Sequence, residues 1–207
     1  TGRAGEIGGP DARGHTINIP VPAGAPGHVA LASFDAIIGP EIDRFAPDWI
    51  LVSAGYDAHR ADPLADLRWT AGDYHLLTRR VLELVPAGRS VFLLEGGYDL
   101  GALKRSVAGT LTALADLPFD AAAIDESPSS DGPGIEAVAV AARRRTEALG
   151  LEVLRLEDSL ESHERGIARA RGLGQGDGGG NYGADQRKAK DPGRTGHRGG
   201  ERRRRVH

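Results

Sequence analysis

Apolar positions change period several times along this chain, and the changes mark out its elements. Thr16–Val21 (TINIPV) is rich in β-branched residues and ends at Pro20 and Pro22, which predicts a strand running into a turn. From His28 to Phe45, apolar residues at Val29, Phe34, Ile37, Ile38, Ile42 and Phe45 recur at near-helical spacing, with Pro40 marking a kink or break. Asp48–Ala54 (DWILVSA) is a continuous apolar run, better suited to a strand covered on both faces than to a half-exposed one, and it stops at Gly55. Thr70 can cap a helix reaching Val85, with Tyr74, Leu77, Val81, Leu84 and Val85 on one stripe and Pro86 and Gly88 beyond it. Ser90–Leu94 (SVFLL) predicts a second buried strand, closed by Gly96-Gly97, and Leu100–Leu117 a helix through Leu103, Val107, Leu111 and Leu114. Helices are also expected over Ile135–Leu149 and Leu151–Gly166, with Ala- and Arg-rich faces that suggest exposure.

Strand, helix, strand, helix in this order predicts parallel strands joined by helical crossovers in an open α/β sheet. Ligands of such sheets bind beyond the carboxyl ends of the strands, where the loops into the helices gather. Two loops qualify: Gly55–Leu67 (GYDAHRADPLADL) and Glu95–Gly101 (EGGYDLG). The first carries Asp57, His59, Asp62 and Asp66, oxygen and nitrogen donors of the kind that Zn2+ or Fe2+ accepts. The same residue types also cap helices and close turns, and Asp62-Pro63 is an ordinary turn dipeptide, so spacing alone leaves both uses open. In the second loop Tyr98 follows two glycines. A phenol there could donate to a developing oxyanion where backbone approaches a ligand, or could pack on a helix start.

Charge and composition divide the chain. Of the overall net charge of −3, residues 171–207 contribute ten Lys/Arg against four Asp/Glu, net +6, which leaves −9 on residues 1–170. Eleven of those 37 tail residues are glycine, too few apolar groups remain to offset the entropy of ordering, and disorder is expected there. Arg202–Arg205 could touch nucleic acid or an acidic partner, or simply form a solvated end. Glu157, Glu161 and Glu164 recur at helical spacing and could form an acidic stripe for a partner or plain solvated surface. No apolar run approaches the roughly 20 residues of a membrane span. Zero cysteine excludes disulfides and thiolate ligands, and fits a reducing compartment, so a cytoplasmic protein is expected. With no methionine and an abrupt start at Thr1, the chain reads as a piece of a longer polypeptide.

The string Pro47-Asp48-Trp49-Ile50-Leu51-Val52-Ser53-Ala54-Gly55-Tyr56-Asp57-Ala58-His59-Arg60-Ala61-Asp62-Pro63-Leu64, followed by Leu94-Glu95-Gly96-Gly97-Tyr98-Asp99-Leu100, closely resembles the carboxyl-terminal half of the histone deacetylase and acetylpolyamine amidohydrolase family, in its bacterial, class II-like branch. Thr16–Gly24 is similar to that family's strand before the active-site helix, and Glu126–Gly134 (ESPSSDGPG) extends the likeness toward Arg145. The resemblance implies a three-layer, arginase-like parallel sheet with flanking helices, here lacking its amino-terminal strands. It divides the chain into a deacetylase-like part (1–117), a helical extension (118–170) and the basic tail (171–207).

It also implies one zinc ion and removal of acetyl groups from lysine side chains or small acetylated amines such as acetylpolyamines. Position by position, Asp62 matches a zinc-ligand aspartate, Tyr98 the tyrosine that polarises the acetyl carbonyl, and Gly96 and Gly97 backbone beside the substrate channel. Asp57 and His59 imitate the Asp-x-His spacing of the other two zinc ligands but match positions that sit beside the site and support the loop. The chain departs from the family in having no His-His pair among its seven histidines and no upstream Asp-x-His pair. It is therefore expected to bind zinc weakly, to be inactive alone, and to expose hydrophobic sheet edges that favour pairing or poor solubility. A non-catalytic α/β binding module with a basic, nucleic-acid-binding tail is the alternative.

Overall fold

The structure, a computed structural model, describes residues 2–149. Helix α1 (Gly27–Ser33) runs into a π-helical turn at Phe34–Ile38 and then α2 (Gly39–Phe45). Strand β1 (Ile50–Ala54) is followed by α3 (Ala71–Leu82), β2 (Ser90–Leu94), α4 (Leu100–Leu114) and α5 (Ile135–Leu149). The helix expected over 28–45 is thus split where Pro40 was expected to disturb it. Proline has no N–H to give the ladder, and the Gly39 N–H reaches back instead to the Phe34 carbonyl, the wider bonding of a π turn.

Strands β1 and β2 pair in parallel, Ile50 opposite Ser90 through Ala54 opposite Leu94, with α3 as the crossover. The expected βαβ unit is therefore present. Residues 16–21 form no strand, which corrects the first expectation: among the described residues the two-stranded sheet is β1–β2 alone. The segment keeps the period of two without a ladder. Ile17, Ile19 and Val21 turn one side onto a core of Val29, Ile37, Val138, Ala141 and Ala142. Helix α5 contributes the last three of these, so its face is not the exposed one its composition suggested.

The expectation of strands covered on both faces is also corrected. Val52, Ala54 and Phe92 face α1, α3 and the π turn across a cavity of about 360 Å³, which Ile19, Val21, Leu77 and Val81 help to line. The opposite face is bare, with Leu51 70% and Leu93 45% exposed. An apolar run on both sides of a strand calls for two covering layers, and the described residues supply one. The expectations over Leu151–Gly166, the glutamates at 157, 161 and 164, and the basic tail fall outside the described residues. No helix among the described residues is long and apolar enough to cross a membrane.

Helix α3 starts in a capping box: the Thr70 side chain accepts from the Asp73 N–H, and the Asp73 carboxylate accepts from the Thr70 N–H at 2.8 Å. That carboxylate is fully buried and is also held by the Thr70 hydroxyl at 3.1 Å and by the Ser129 N–H and hydroxyl at 3.0 and 2.6 Å. Burial raises its pKa despite these donors. Gly27, opening α1, lies against it so closely that an added Cβ would sit 2.0 Å from the Asp73 carboxyl carbon. Gly27→Ala is expected to destabilise the chain by about 2 kcal/mol in urea unfolding, because a pinned, buried neighbour cannot move aside and the overlap outweighs alanine's gain in helix propensity of about 1 kcal/mol.

Candidate functional site

The two loops singled out in the sequence leave the carboxyl ends of paired strands and are stitched together at once. The Glu95 N–H bonds the Ala54 carbonyl at 3.1 Å, and the Tyr56 N–H bonds the Gly96 carbonyl at 2.9 Å. Beyond β1 the chain makes a 3-10 turn at Tyr56–Ala58. The loop then closes on the residues before α3: the Trp69 N–H bonds the Ala58 carbonyl at 3.1 Å and the Arg60 N–H the Trp69 carbonyl at 2.8 Å. Beneath it Tyr56 and Tyr74 pack with ring centroids 5.0 Å apart, and the Tyr56 hydroxyl donates to Thr110 Oγ1 at 3.1 Å. An apolar, aromatic floor thus holds the polar rim.

Asp62 sits where the two loops meet. Its Oδ2 accepts from the Tyr98 N–H at 2.6 Å and the Asp99 N–H at 3.2 Å, while Oδ1 accepts from the Leu64 N–H at 3.0 Å. Burial pushes its pKa up, but the Tyr98, Leu64 and Asp99 N–H donors outweigh burial and hold it below the ordinary aspartate range. The carboxylate is therefore ionised at neutral pH and acts as a clasp across the rim. Tyr98 is fixed through its backbone while its side chain is 58% exposed. Asp99 caps α4 by accepting from the Ala102 N–H at 2.6 Å, so the loop is anchored on both sides of Tyr98.

Both glycines before Tyr98 are required by the surroundings. Gly97 has φ +132°, a conformation other residues avoid, and a Cβ on Gly96 would lie 2.9 Å from the Asp57 carboxyl carbon. Asp57 therefore abuts the backbone of the tyrosine loop. His59 is fully buried; its Nδ1 accepts from the Ala61 N–H at 3.1 Å, so its Nε2 carries the proton and donates to Glu126 at 2.9 Å. Asp57, His59, Asp62, Gly96, Gly97 and Tyr98 belong to this one rim, whereas Asp66, the remaining acidic residue named in the first loop, is exposed.

Glu126 went unassigned in the sequence. It is buried and accepts from His59 Nε2 and the Ala71 N–H on Oε2, both at 2.9 Å, and from Arg105 Nε on Oε1 at 2.8 Å. Burial raises its pKa, and the Ala71, His59 and Arg105 donors more than reverse that, leaving it lowered. Its ion-pair contribution is therefore complete above the ordinary glutamate value and fades as the pH falls through the lowered one. Nothing in the ESPSSDGPG string singles it out, because its partners are 21 to 67 residues away.

The described residues do not bring together the zinc set implied by the resemblance. Among the described residues no three His, Asp or Glu side chains converge to hold a metal ion, and Asp62 spends both oxygens on backbone N–H groups. A catalytic zinc takes about three protein ligands, and among the described residues one matched donor is present.

In sequence the chain is similar to deacetylases of other organisms. The chain is 44% identical over 129 residues to Histone deacetylase 10, chloroplastic, of Oryza sativa subsp. japonica, covering 61% of this chain and 29% of that protein. Histone deacetylase 14, chloroplastic, of Arabidopsis thaliana is 48% identical over 118 residues, covering 55% and 28%. A Probable deacetylase of Archaeoglobus fulgidus is 38% identical over 130 residues, covering 61% and 36%. The chain thus spans about a third or less of the length of these relatives. In fold it is similar to the crystal structure of the HDA15 HD domain, with TM-score 0.61 and 24% identity over 86% of this chain and 44% of that one. The histone deacetylase Clr3 gives TM-score 0.58 at 24% identity, covering 70% of this chain and 23% of that one. The parallel α/β sheet of deacetylase domains is therefore the fold to which these two strands and their helices belong. The Histone deacetylase domain pattern matches residues 1–114, more than half of the sequence, and the chain belongs to the histone deacetylase family.

Proposed function

We propose that the chain is the carboxyl-terminal part of a zinc-dependent deacetylase, hydrolysing the acetamide of acetyl-lysine or of small acetylated amines such as acetylpolyamines. The observation that carries this reading is the Asp62 clasp on the backbone of Tyr98, which holds a solvent-facing phenol at the carboxyl ends of parallel strands. When water adds to an acetamide carbon, the carbonyl oxygen becomes negative, and a fixed O–H donor lowers the barrier by stabilising that charge. Tyr98 is assigned that donation. The tetrahedral carbon then releases the amine, which takes a proton, and acetate remains. Gly96 and Gly97 let backbone come close to the acyl group. Asp57 and His59 hold the loops.

Activation of the water is assigned to none of the described residues. Zinc enters this proposal only at the level of the whole domain, since the described residues offer one of the donors needed. A domain of the relatives' full length carrying these two loops is expected to release acetate from an acetyl-lysine peptide or an acetylated polyamine, and the chain by itself to release none. A complete domain that cleaves neither, or an isolated chain that turns over at the complete domain's rate, would contradict the proposal.

A further inference from the structure

The residue that organises the Asp62 loop lies outside the stretch that matches the family pattern. Glu126 lies two residues beyond a short 3-10 turn (Ala122–Ile124) and twelve residues past the family match. Its Oε2 meets His59 Nε2 and the first N–H of α3, at Ala71, so one buried oxygen ties the loop after β1 to the helix that follows it. The ring of His59 passes this on. With Nε2 donating to Glu126, Nδ1 is left bare and takes the Ala61 N–H at 3.1 Å, while the His59 carbonyl takes the Asp62 N–H at 2.8 Å. Both bonds shape the turn that presents the Asp62 carboxylate to the Tyr98 and Asp99 N–H groups. In the other tautomer Nδ1 would carry a proton aimed at the Ala61 N–H, and this turn could not close.

We propose that Glu126 is a positioning residue for the candidate site: by fixing the His59 tautomer it sets the turn at Ala61-Asp62 and, through the Asp62 carboxylate, the backbone of Tyr98. The assignment of a catalytic role to Tyr98 rests on the function proposed above, whereas the mechanical link from Glu126 to Tyr98 does not. Arg105 lies on the other oxygen of Glu126, so charge balance and tautomer control fall to different atoms of one side chain. Glutamine can keep a carbonyl oxygen toward His59 and Ala71 and turn its amide toward Arg105. Alanine keeps nothing.

The test is amide hydrogen exchange on the full chain, with 15N spectra of the histidine rings. In the unsubstituted protein His59 is expected to show a pyridine-like Nδ1 and a protonated Nε2. A protonated Nδ1 would overturn the proposal before any substitution is made. Glu126→Ala is expected to speed exchange at Ala61, Tyr98 and Asp99 at least about tenfold more than at the β1–β2 ladder amides. Glu126→Gln is expected to keep the three amides within about threefold of the unsubstituted chain while losing the Arg105 bond. Uniform acceleration across loop and ladder in E126A would mean that Glu126 holds the fold rather than this turn, and would overturn the proposal. So would loss of protection in E126Q equal to that in E126A. A complete domain without deacetylase activity would leave these exchange rates unchanged, so the two readings fail separately.

Discussion

Tyr98→Phe is expected to lower acetamide hydrolysis by a complete domain about 10²–10³-fold, the usual cost of one lost oxyanion donor. The structure makes this substitution unusually clean. The side chain is 58% exposed, so removing the hydroxyl opens no cavity in the core, and the grip of Asp62 is on the backbone N–H, which phenylalanine keeps. The loss should therefore fall on kcat, with KM within about threefold and the unfolding midpoint unchanged, the pattern of an interaction made chiefly in the transition state. Steady-state kinetics with an acetyl-lysine peptide checks it. A fall of less than tenfold in kcat would remove Tyr98 from the role of oxyanion donor.

Asp62→Ala is expected to destabilise the chain by about 3 kcal/mol, because a charged acceptor serving backbone donors disappears from a buried position. The Tyr98, Asp99 and Leu64 N–H groups lose their partner together, at a residue only 8% exposed. Water can reach some of these donors, since Tyr98 and Leu64 are themselves exposed, which keeps the cost below the sum of three fully buried losses. Asp62→Asn should fall between, since its one oxygen can replace either the Tyr98 bond or the Leu64 bond and its amide cannot replace the other. Urea unfolding of the three chains in parallel reads the order directly. An alanine chain as stable as the unsubstituted one would mean that the clasp contributes nothing to the fold.

The sequence carried the strands and the places where they end. Apolar runs stopped by Gly55 and by Gly96-Gly97 locate β1 and β2, and the Thr70 cap locates the start of α3, because these signals are local and made of few residues. Pairing and coverage are not local. Residues 16–21 alternate as a strand should, yet a ladder needs a neighbour, and Pro20, without an N–H group, further reduces what the segment can offer. Leu51 and Leu93 read as buried because they are apolar, whereas burial depends on a second layer that the described residues do not supply. Asp62 and Tyr98 were legible because loops at strand ends gather in parallel sheets and because their motifs resemble a family. That the carboxylate would hold the tyrosine's backbone was not visible in either motif. Glu126 and Ser129 were invisible for the same reason at longer range: each acts on residues more than fifty positions earlier, and no periodicity records such a contact.

The central claim is that Asp62 and Tyr98 act as one unit on one rim, and a double-mutant cycle on kcat/KM in a complete domain tests it most directly. Residues that work through each other are strongly non-additive, so the Asp62→Asn, Tyr98→Phe double variant is expected within about threefold of the worse single variant. If the two losses instead multiply, the carboxylate and the phenol contribute independently, and the joined rim is not the site.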